Sequence, residues 1–163
     1  MRIVILGVGN LLLSDEGVGV RAIERFAREY RVPPGVEVID GGTAGMELLE
    51  DLAHATHLII VDAVRSKKPP ATIVRITGDD VPVFFKTKLS PHQIGLSDVL
   101  ATLALNAEQP GGITVFGVEP LSLATGMALT PPVEALLPAL TSHLVAELGL
   151  LGVTAERIVP EPA

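Results

Sequence analysis

Short apolar runs that end in glycine- or aspartate-containing turns recur along the first part of the chain. They cover residues 3–6, 36–39 and 58–61. Apolar residues recur at helical spacing over 16–30 and over 44–54, between these runs. An order of strand, helix, strand, helix, strand favours a parallel sheet with helices on both faces. This alternation constrains the fold more than any other feature of the sequence.

The fourth predicted strand, residues 72–76, departs from this pattern. Only about ten residues, 62–71, separate it from the third strand, whereas a crossover to a parallel neighbour takes about a dozen residues or more. We therefore expect this strand to be antiparallel and to lie at an edge. A helix over 94–107 and a strand over 113–118 follow.

The last predicted helix begins near Thr130, with Pro131 at its first position, and Pro138 should bend its first turns. The sequence thus predicts a single doubly wound, mostly parallel five-stranded sheet with helices on both faces and one antiparallel edge strand. We expect one α/β domain over residues 1–152, followed by a mobile C-terminal tail over 153–163.

Composition narrows the chemistry that the domain can perform. The 163 residues include no Cys, which excludes disulfides, thiolate ligands from this chain and a cysteine nucleophile. A chain without Cys fits a reducing compartment, so we expect a cytoplasmic protein. The net charge of −7 argues against nucleic acid as a partner. No uninterrupted apolar run approaches the ~20 residues of a membrane span.

Acidic side chains follow three of the predicted parallel strands, where ligands of such sheets bind. Asp15 and Glu16 follow the first strand, Asp40 the second and Asp62 the third, while His92 precedes a helix in a polar loop. Carboxylates and an imidazole would form an incomplete shell for a divalent metal such as Ni²⁺ or Zn²⁺.

Each of these residues also has a structural interpretation. Glu16 is as well placed to begin a helix, the turn after Asp40 is an ordinary one, and His92 alone is typical of a solvated loop. We also expect His54 and His57 to cap a helix C-terminus and His143 to lie on the surface. It is the convergence of several acids on one edge that predicts a site.

The glycines at the first turn give a weak signal for a dinucleotide. Gly7 and Gly9 lack a third glycine because Leu12 occupies its place. The sequence therefore predicts no organic cofactor. It also contains neither the nucleophile elbow of α/β-hydrolases nor a zincin motif.

Five segments together resemble the landmarks of the [NiFe]-hydrogenase maturation endopeptidases. They occur in the same order and span nearly the whole chain: GVGNLLLSDEGVGV (7–20), VEVIDGGTAGMELL (36–49), LIIVDAV (58–64), LSPHQIGLSDVL (89–100) and VFGVEP (115–120).

This resemblance implies a doubly wound α/β fold and a specific activity. Members of the family remove a short C-terminal extension from the hydrogenase large-subunit precursor after nickel insertion. The family's metal-contacting residues correspond to Glu16, Asp62 and His92, and an acid needed for cleavage or recognition corresponds to Asp40. The turns around them would support the site: Gly7, Gly9, Asn10, Asp15, Gly41, Gly42 and Thr43.

Because this chain offers only oxygen and nitrogen ligands, we expect the nickel to belong to the precursor and its thiolates. Two other classes of function remain open. A receiver-type phosphoacceptor domain would use Asp15, Glu16 and Asp62 but needs a lysine after the last strand, where Glu119 stands. A non-catalytic chaperone would bind the nickel-loaded precursor without cutting it.

Overall fold

The structure, a computed structural model, describes residues 1–81 and 91–158, and within 91–94 the backbone alone. The described part of the chain contains seven strands, most of them separated by helices. The strands are β1 Ile3–Val8, β2 Tyr30–Arg31, β3 Val36–Gly42, β4 His57–Ala63, β5 Ile73–Thr77, β6 Ile113–Val118 and β7 Glu156–Arg157. The α-helices are α1 Val18–Glu29, α2 Leu49–Leu52, α3 Pro91–Leu105, α4 Pro131–Glu134 and α5 Leu137–Leu150.

The main sheet has five strands in the order β3-β1-β4-β6-β5. The first four in this order are parallel, and β5 pairs antiparallel with β6 at the edge. The predicted mostly parallel sheet with one antiparallel edge strand is therefore confirmed. The short connection before β5 explains its direction, since it is too short for a helical crossover.

The sheet register fixes which residues share its carboxyl edge. Gly7 of β1 lies between Asp40 of β3 and Val61 of β4, and Asp62 pairs with Gly117 of β6. Parallel strands lie about 4.8 Å apart. The acids that follow the strands are consequently within a few strand spacings of each other.

Side-chain alternation divides the core into two layers. One face of the sheet packs with α1 and α5, through residues such as Val61 and Phe26. The other face packs with α2 and α3, through residues such as Ile60 and Leu96. The buried face of α5 is the one predicted from the sequence: Leu137, Leu140, Leu144 and Leu148.

The helix predicted over 44–54 is wrong in extent. The structure has a 3₁₀ helix, Met46–Leu48, followed by the single turn of α2. Met46 is half exposed and does not pack in the core. The chain after β3 first passes through a turn up to Gly45, so few residues are left for a helix before β4.

The last predicted helix is divided just before Pro138. Helix α4 ends at Glu134, four residues before this proline, and α5 begins at Leu137. Proline lacks an N–H and its ring clashes with the carbonyl group four residues earlier. The expected bend therefore becomes a division into two helices, which are joined by one turn through Ala135 and Leu136.

One stretch of the described chain, Pro131–Leu150, is long and apolar enough to cross a membrane by length and composition. It contains the break between α4 and α5, and Leu140 and Leu144 are fully buried in the core. Glu147 of the same stretch is buried and paired with Arg75. These contacts are those of a core helix.

The C-terminal segment differs from the predicted mobile tail. Glu156–Arg157 pairs antiparallel with Tyr30–Arg31. The Arg157 guanidinium lies 5.5 Å from the centroid of the Tyr30 ring, and Nη1 donates to the Tyr30 hydroxyl at 3.0 Å. Backbone pairing and this cation–π contact attach the chain to the end of α1. Residues 159–163 lie outside the described part of the chain.

Candidate functional site

The start of α1 lies against the ends of the two central strands. A Cβ atom on Gly19 would lie 2.1 Å from the carbonyl oxygen of Val61 and 2.5 Å from that of Val8. Only a glycine allows this close approach of helix and strand backbones. The loop between β1 and α1 is consequently held at the carboxyl edge of the sheet.

The turn after β1 requires Gly9. Its φ angle is +139°, and a Cβ atom there would lie 1.9 Å from the carbonyl oxygen of Glu16. Asn10 then closes the turn, since its Oδ1 accepts a hydrogen bond from the Leu12 backbone N–H at 2.9 Å. Of the predicted supporting residues, Gly9 thus lies against the backbone of Glu16 and Asn10 closes the same turn, whereas Gly7 packs against Gly19 of α1.

Glu16 and Asp62 are two buried acids at this edge. Glu16 is 2% exposed within the 3₁₀ helix Ser14–Gly17, which contacts β4, and Asp62 is 0% exposed near the end of β4. Burying a carboxylate is costly unless it is compensated. Glu16 and Asp62 thus bring two buried carboxyl groups to the carboxyl edge of the sheet, on elements that contact each other.

His92 belongs to a helix and not to the loop predicted for it. Helix α3 begins at Pro91, a residue that favours the first helical position, so His92 is in the first turn. A Cβ on Gly95 would lie 3.2 Å from the Cα of Gly45, so the start of α3 packs on the turn after β3.

The backbone of His92 is therefore at the carboxyl edge, on the face covered by α3. Asp62 alternates with Val61 and so projects toward that same face. The His92 side chain lies outside the described residues, and its role as a ligand stays a prediction.

Asp40 is separate from the pair of buried acids. It is exposed on the edge strand β3, and it shares the alternation of Val61, opposite to that of Asp62. Its Oδ1 accepts a hydrogen bond from the Gly42 backbone N–H at 2.9 Å. The structure thus brings Asp40 to the same edge as Asp62 but on the other face of the sheet.

Two of the other predicted residues of this turn, Gly41 and Gly42, shape its backbone. Gly41 is buried, and a Cβ there would lie 2.8 Å from Cδ1 of Leu6. Gly42 has a φ of +48°, and Thr43 is exposed. The turn is compact because no side chain occupies its inner side.

Asp15 anchors a distant loop. It is 0% exposed, and its carboxylate accepts hydrogen bonds from the backbone N–H groups of Leu121 at 2.9 Å, Ser122 at 3.1 Å and Thr130 at 2.8 Å. The Thr130 hydroxyl donates a fourth at 2.7 Å. With both oxygens occupied in this way, Asp15 holds the loop after β6 against the loop after β1.

Two of the predicted metal contacts, Glu16 and Asp62, lie among the side chains that the structure describes, and the third, His92, does not. Among the side chains of residues 1–81 and 95–158, no group of three or more His, Asp or Glu could hold a metal ion. Glu16 and Asp62 supply carboxylate oxygens at one edge, and the chain has no Cys.

A second polar cluster lies at the opposite, amino edge of the sheet. His57 Nε2 is 2.8 Å from Thr114 Oγ1, which donates to Glu147 Oε2 at 3.1 Å. Arg75 binds both oxygens of Glu147, at 2.9 and 3.0 Å. The expectation that His57 caps a helix is wrong, because it is the first residue of β4.

The surroundings within this cluster shift the pKa values of His57 and Glu147. Burial lowers the pKa of His57, against the opposing effect of Glu147. Burial alone would raise the pKa of Glu147, but the hydrogen bonds and charge of Arg75 outweigh it and lower that pKa. His143 is exposed as predicted, and its ring stacks on Phe116 with centroids 5.4 Å apart.

Known proteins resemble this chain in sequence over nearly its whole length. The chain is 49% identical to the hydrogenase 2 maturation protease of Escherichia coli K12, with 95% of each protein covered. It is 40% identical to the hydrogenase expression/formation protein HupD of Rhodobacter capsulatus, covering 93% of this chain and 73% of HupD.

Solved structures resemble its fold. The hydrogenase maturating endopeptidase HybD from E. coli superposes with a TM-score of 0.94 at 47% identity, covering 97% of this chain and 98% of HybD. The HybD protease from Thermococcus kodakarensis gives 0.71 at 28% identity, covering 88% and 97%. The hydrogenase maturation protease family model matches residues 20–147. The chain therefore belongs to the hydrogenase maturation proteases, a family of peptide-bond hydrolases.

Proposed function

We propose that this protein removes a short C-terminal extension from a [NiFe]-hydrogenase large-subunit precursor after nickel insertion. We further propose that it recognises the nickel carried by the precursor. The observation that carries this proposal is the pair of buried carboxylates, Glu16 and Asp62, at the carboxyl edge of the sheet. Family membership supports the cleavage, and it removes the receiver-domain alternative.

The nickel in this proposal is part of the substrate. Thiolates of the precursor would hold the ion, and open coordination positions would accept oxygen or nitrogen ligands. Glu16 and Asp62 are held by rigid backbone, next to Gly9 and on β4 respectively. With His92 as a third ligand, these residues would fix the precursor's position, so that a precursor without nickel loses its anchor.

Asp40 has a different task in this proposal. It lies exposed at the edge of the sheet, where an extended peptide could reach it, and on the other face from Asp62. We assign it to positioning the peptide beside the anchored ion. The absence of Cys fits a reducing compartment, and we place the reaction in the cytoplasm.

The decisive experiment compares nickel-loaded with nickel-free precursor by mass spectrometry of the products. The wild-type protein should release a C-terminal peptide from the loaded precursor alone. Glu16→Gln, Asp62→Asn and His92→Ala should each lower the rate at least about a hundredfold, with an unchanged circular dichroism spectrum. Equal cleavage of both precursors would refute nickel recognition.

Matched controls use exposed residues of the same types. Glu50→Gln, Asp79→Asn and His54→Ala change the same functional groups away from the site. All three should cleave at the wild-type rate. Binding of the loaded precursor without release of any peptide would instead favour the chaperone alternative.

A further inference from the structure

Exposed large apolar side chains occur on the loops that leave the carboxyl edge of the sheet. Leu12, which follows β1, is 57% exposed; Leu121 and Met127, which follow β6, are 53% and 64% exposed. A single exposed leucine is ordinary on a protein surface. Several on joined loops beside a functional site need a reason, since apolar patches mark interaction surfaces.

Backbone hydrogen bonds join the two loops. The N–H of Gly126 donates to the carbonyl oxygen of Leu12 at 2.9 Å, and the N–H of Ser14 donates to the carbonyl oxygen of Gly126 at 2.8 Å. The Asp15 carboxylate also accepts a hydrogen bond from the Leu121 backbone N–H. We call the three exposed side chains on this joined support, Leu12, Leu121 and Met127, the apolar rim.

The apolar rim is rigidly connected to the buried acid that would contact nickel. Asp15, which anchors the rim's support, is followed directly by Glu16. A rigid surface needs little ordering when a partner binds, so more of the contact contributes to affinity. Met127 also lines a surface cavity of about 300 Å³, and half of the residues lining that cavity are charged: Arg21, Glu24, Arg28 and Glu134.

We propose that the apolar rim docks an apolar surface segment of the large-subunit precursor that lies beside its nickel site. This inference rests on the proposed function, because it takes the occupant from that function. The rim is continuous with the proposed nickel contact, so a precursor whose nickel reaches Glu16 must also cover the loops fixed to Asp15. Docking on the rim then contributes affinity that does not depend on the metal.

The test measures precursor binding and cleavage separately. Leu12→Ser, Leu121→Ser and Met127→Ser, combined in one protein, should weaken binding of nickel-loaded precursor at least about tenfold. The KM should rise by the same factor while kcat stays within about twofold, because none of these residues touches the reacting groups. Each residue is exposed, so the folded state should persist in circular dichroism.

The matched control carries Leu105→Ser and Leu150→Ser. These leucines are 87% and 75% exposed at the C-terminal ends of α3 and α5. Helices in this fold run antiparallel to the strands, so both residues lie toward the opposite edge of the sheet. The control should bind and cleave like the wild type.

The outcomes separate this inference from the proposed function. Wild-type binding and KM in the triple serine variant overturn docking at the rim, whether or not nickel recognition holds. If the wild-type protein binds the precursor without cutting it, the proposed cleavage is refuted. Docking at the rim is then tested only by comparing precursor binding between the wild type and the triple serine variant. Absence of wild-type binding overturns both. Loss of a dimer in the triple variant, seen by analytical ultracentrifugation, identifies a second copy as the occupant and overturns the inference.

Discussion

Thr130 donates two hydrogen bonds to Asp15, one from its hydroxyl to Oδ2 at 2.7 Å and one from its backbone N–H to Oδ1 at 2.8 Å. Thr130 is the N-cap residue of α4, yet its side chain makes no capping hydrogen bond to that helix. Its hydroxyl is used instead to join α4 to the residue before Glu16. One contact thus connects the C-terminal helices to the candidate site.

Replacement of Asp15 should therefore destabilise the whole domain. Asp15→Ala would leave three backbone N–H groups and a hydroxyl without their acceptor, at a cost of about 3 kcal/mol in the free energy of unfolding. Urea denaturation measures this difference. Asp79→Ala, at an exposed position, should stay within about 0.5 kcal/mol. Equal stability of the two variants would show that the Asp15 contacts are dispensable.

Gly9→Ala should displace Glu16. The added Cβ would lie 1.9 Å from the Glu16 carbonyl oxygen at a backbone angle that alanine disfavours. We expect a loss of about 3 kcal/mol or more in stability and loss of cleavage. Gly149→Ala is the matched control: it lies in α5 with open space around it and should add about 0.5–1 kcal/mol. Thermal unfolding and the precursor assay compare the two.

We expect substitutions of Arg75 and Glu147 to be strongly coupled in their effects on the free energy of unfolding. Arg75→Leu leaves Glu147, whose side chain is 5% exposed, without its cation. Because the Arg75 side chain is 47% exposed, water can partly replace it, and we expect a cost of about 2 kcal/mol. Adding Glu147→Gln should recover part of this loss, since a neutral amide still accepts from Thr114 and is cheaper to bury.

A surface ion pair provides the comparison for this coupling. Glu24→Gln breaks the exposed pair with Arg21 along α1 and should cost less than about 1 kcal/mol. Chemical denaturation of the single and double variants gives the coupling energy directly. A double variant less stable than Arg75→Leu alone would show that the charge on Glu147 is not what makes the single change costly.

Stability should decline as the pH falls below neutrality because of His57. Burial keeps its folded-state pKa below the ordinary value of 6.5, so below about pH 6.5 the unfolded chain binds more protons than the folded one. The free energy of unfolding should therefore drop between pH 7.5 and 5.5. Glu147, whose folded pKa is lowered from 4.5, adds a further loss below about pH 4.5.

Substitution of the two neighbouring histidines separates this effect from the general acid response. His57→Gln removes the buried titrating ring and should flatten the pH dependence between 7.5 and 5.5. His54→Gln, at a side chain that is 71% exposed, should leave it unchanged. Urea titrations at several pH values measure both slopes, and identical slopes would exclude His57 as the origin.

Much of the fold could be predicted because its signals are local. Apolar runs of strand length, helical spacing between them and the length of each connection give the order and direction of the strands. The short connection before β5 is sufficient to predict its antiparallel pairing, which the structure has. At Pro138 the sequence predicts only a bend, since the extent of the break depends on how α4 and α5 pack.

The sequence by itself determined that acids follow three parallel strands and must share one edge of the sheet. Only the tertiary structure decided their surroundings. Alternation in the register separates Asp40 from Asp62 on opposite faces, and burial distinguishes Asp15, Glu16 and Asp62 from the exposed Asp40. The contacts of Asp15 with Leu121 and Thr130 span more than a hundred residues. No local pattern encodes such a contact, because it exists only once the loops after β1 and β6 meet at the folded edge.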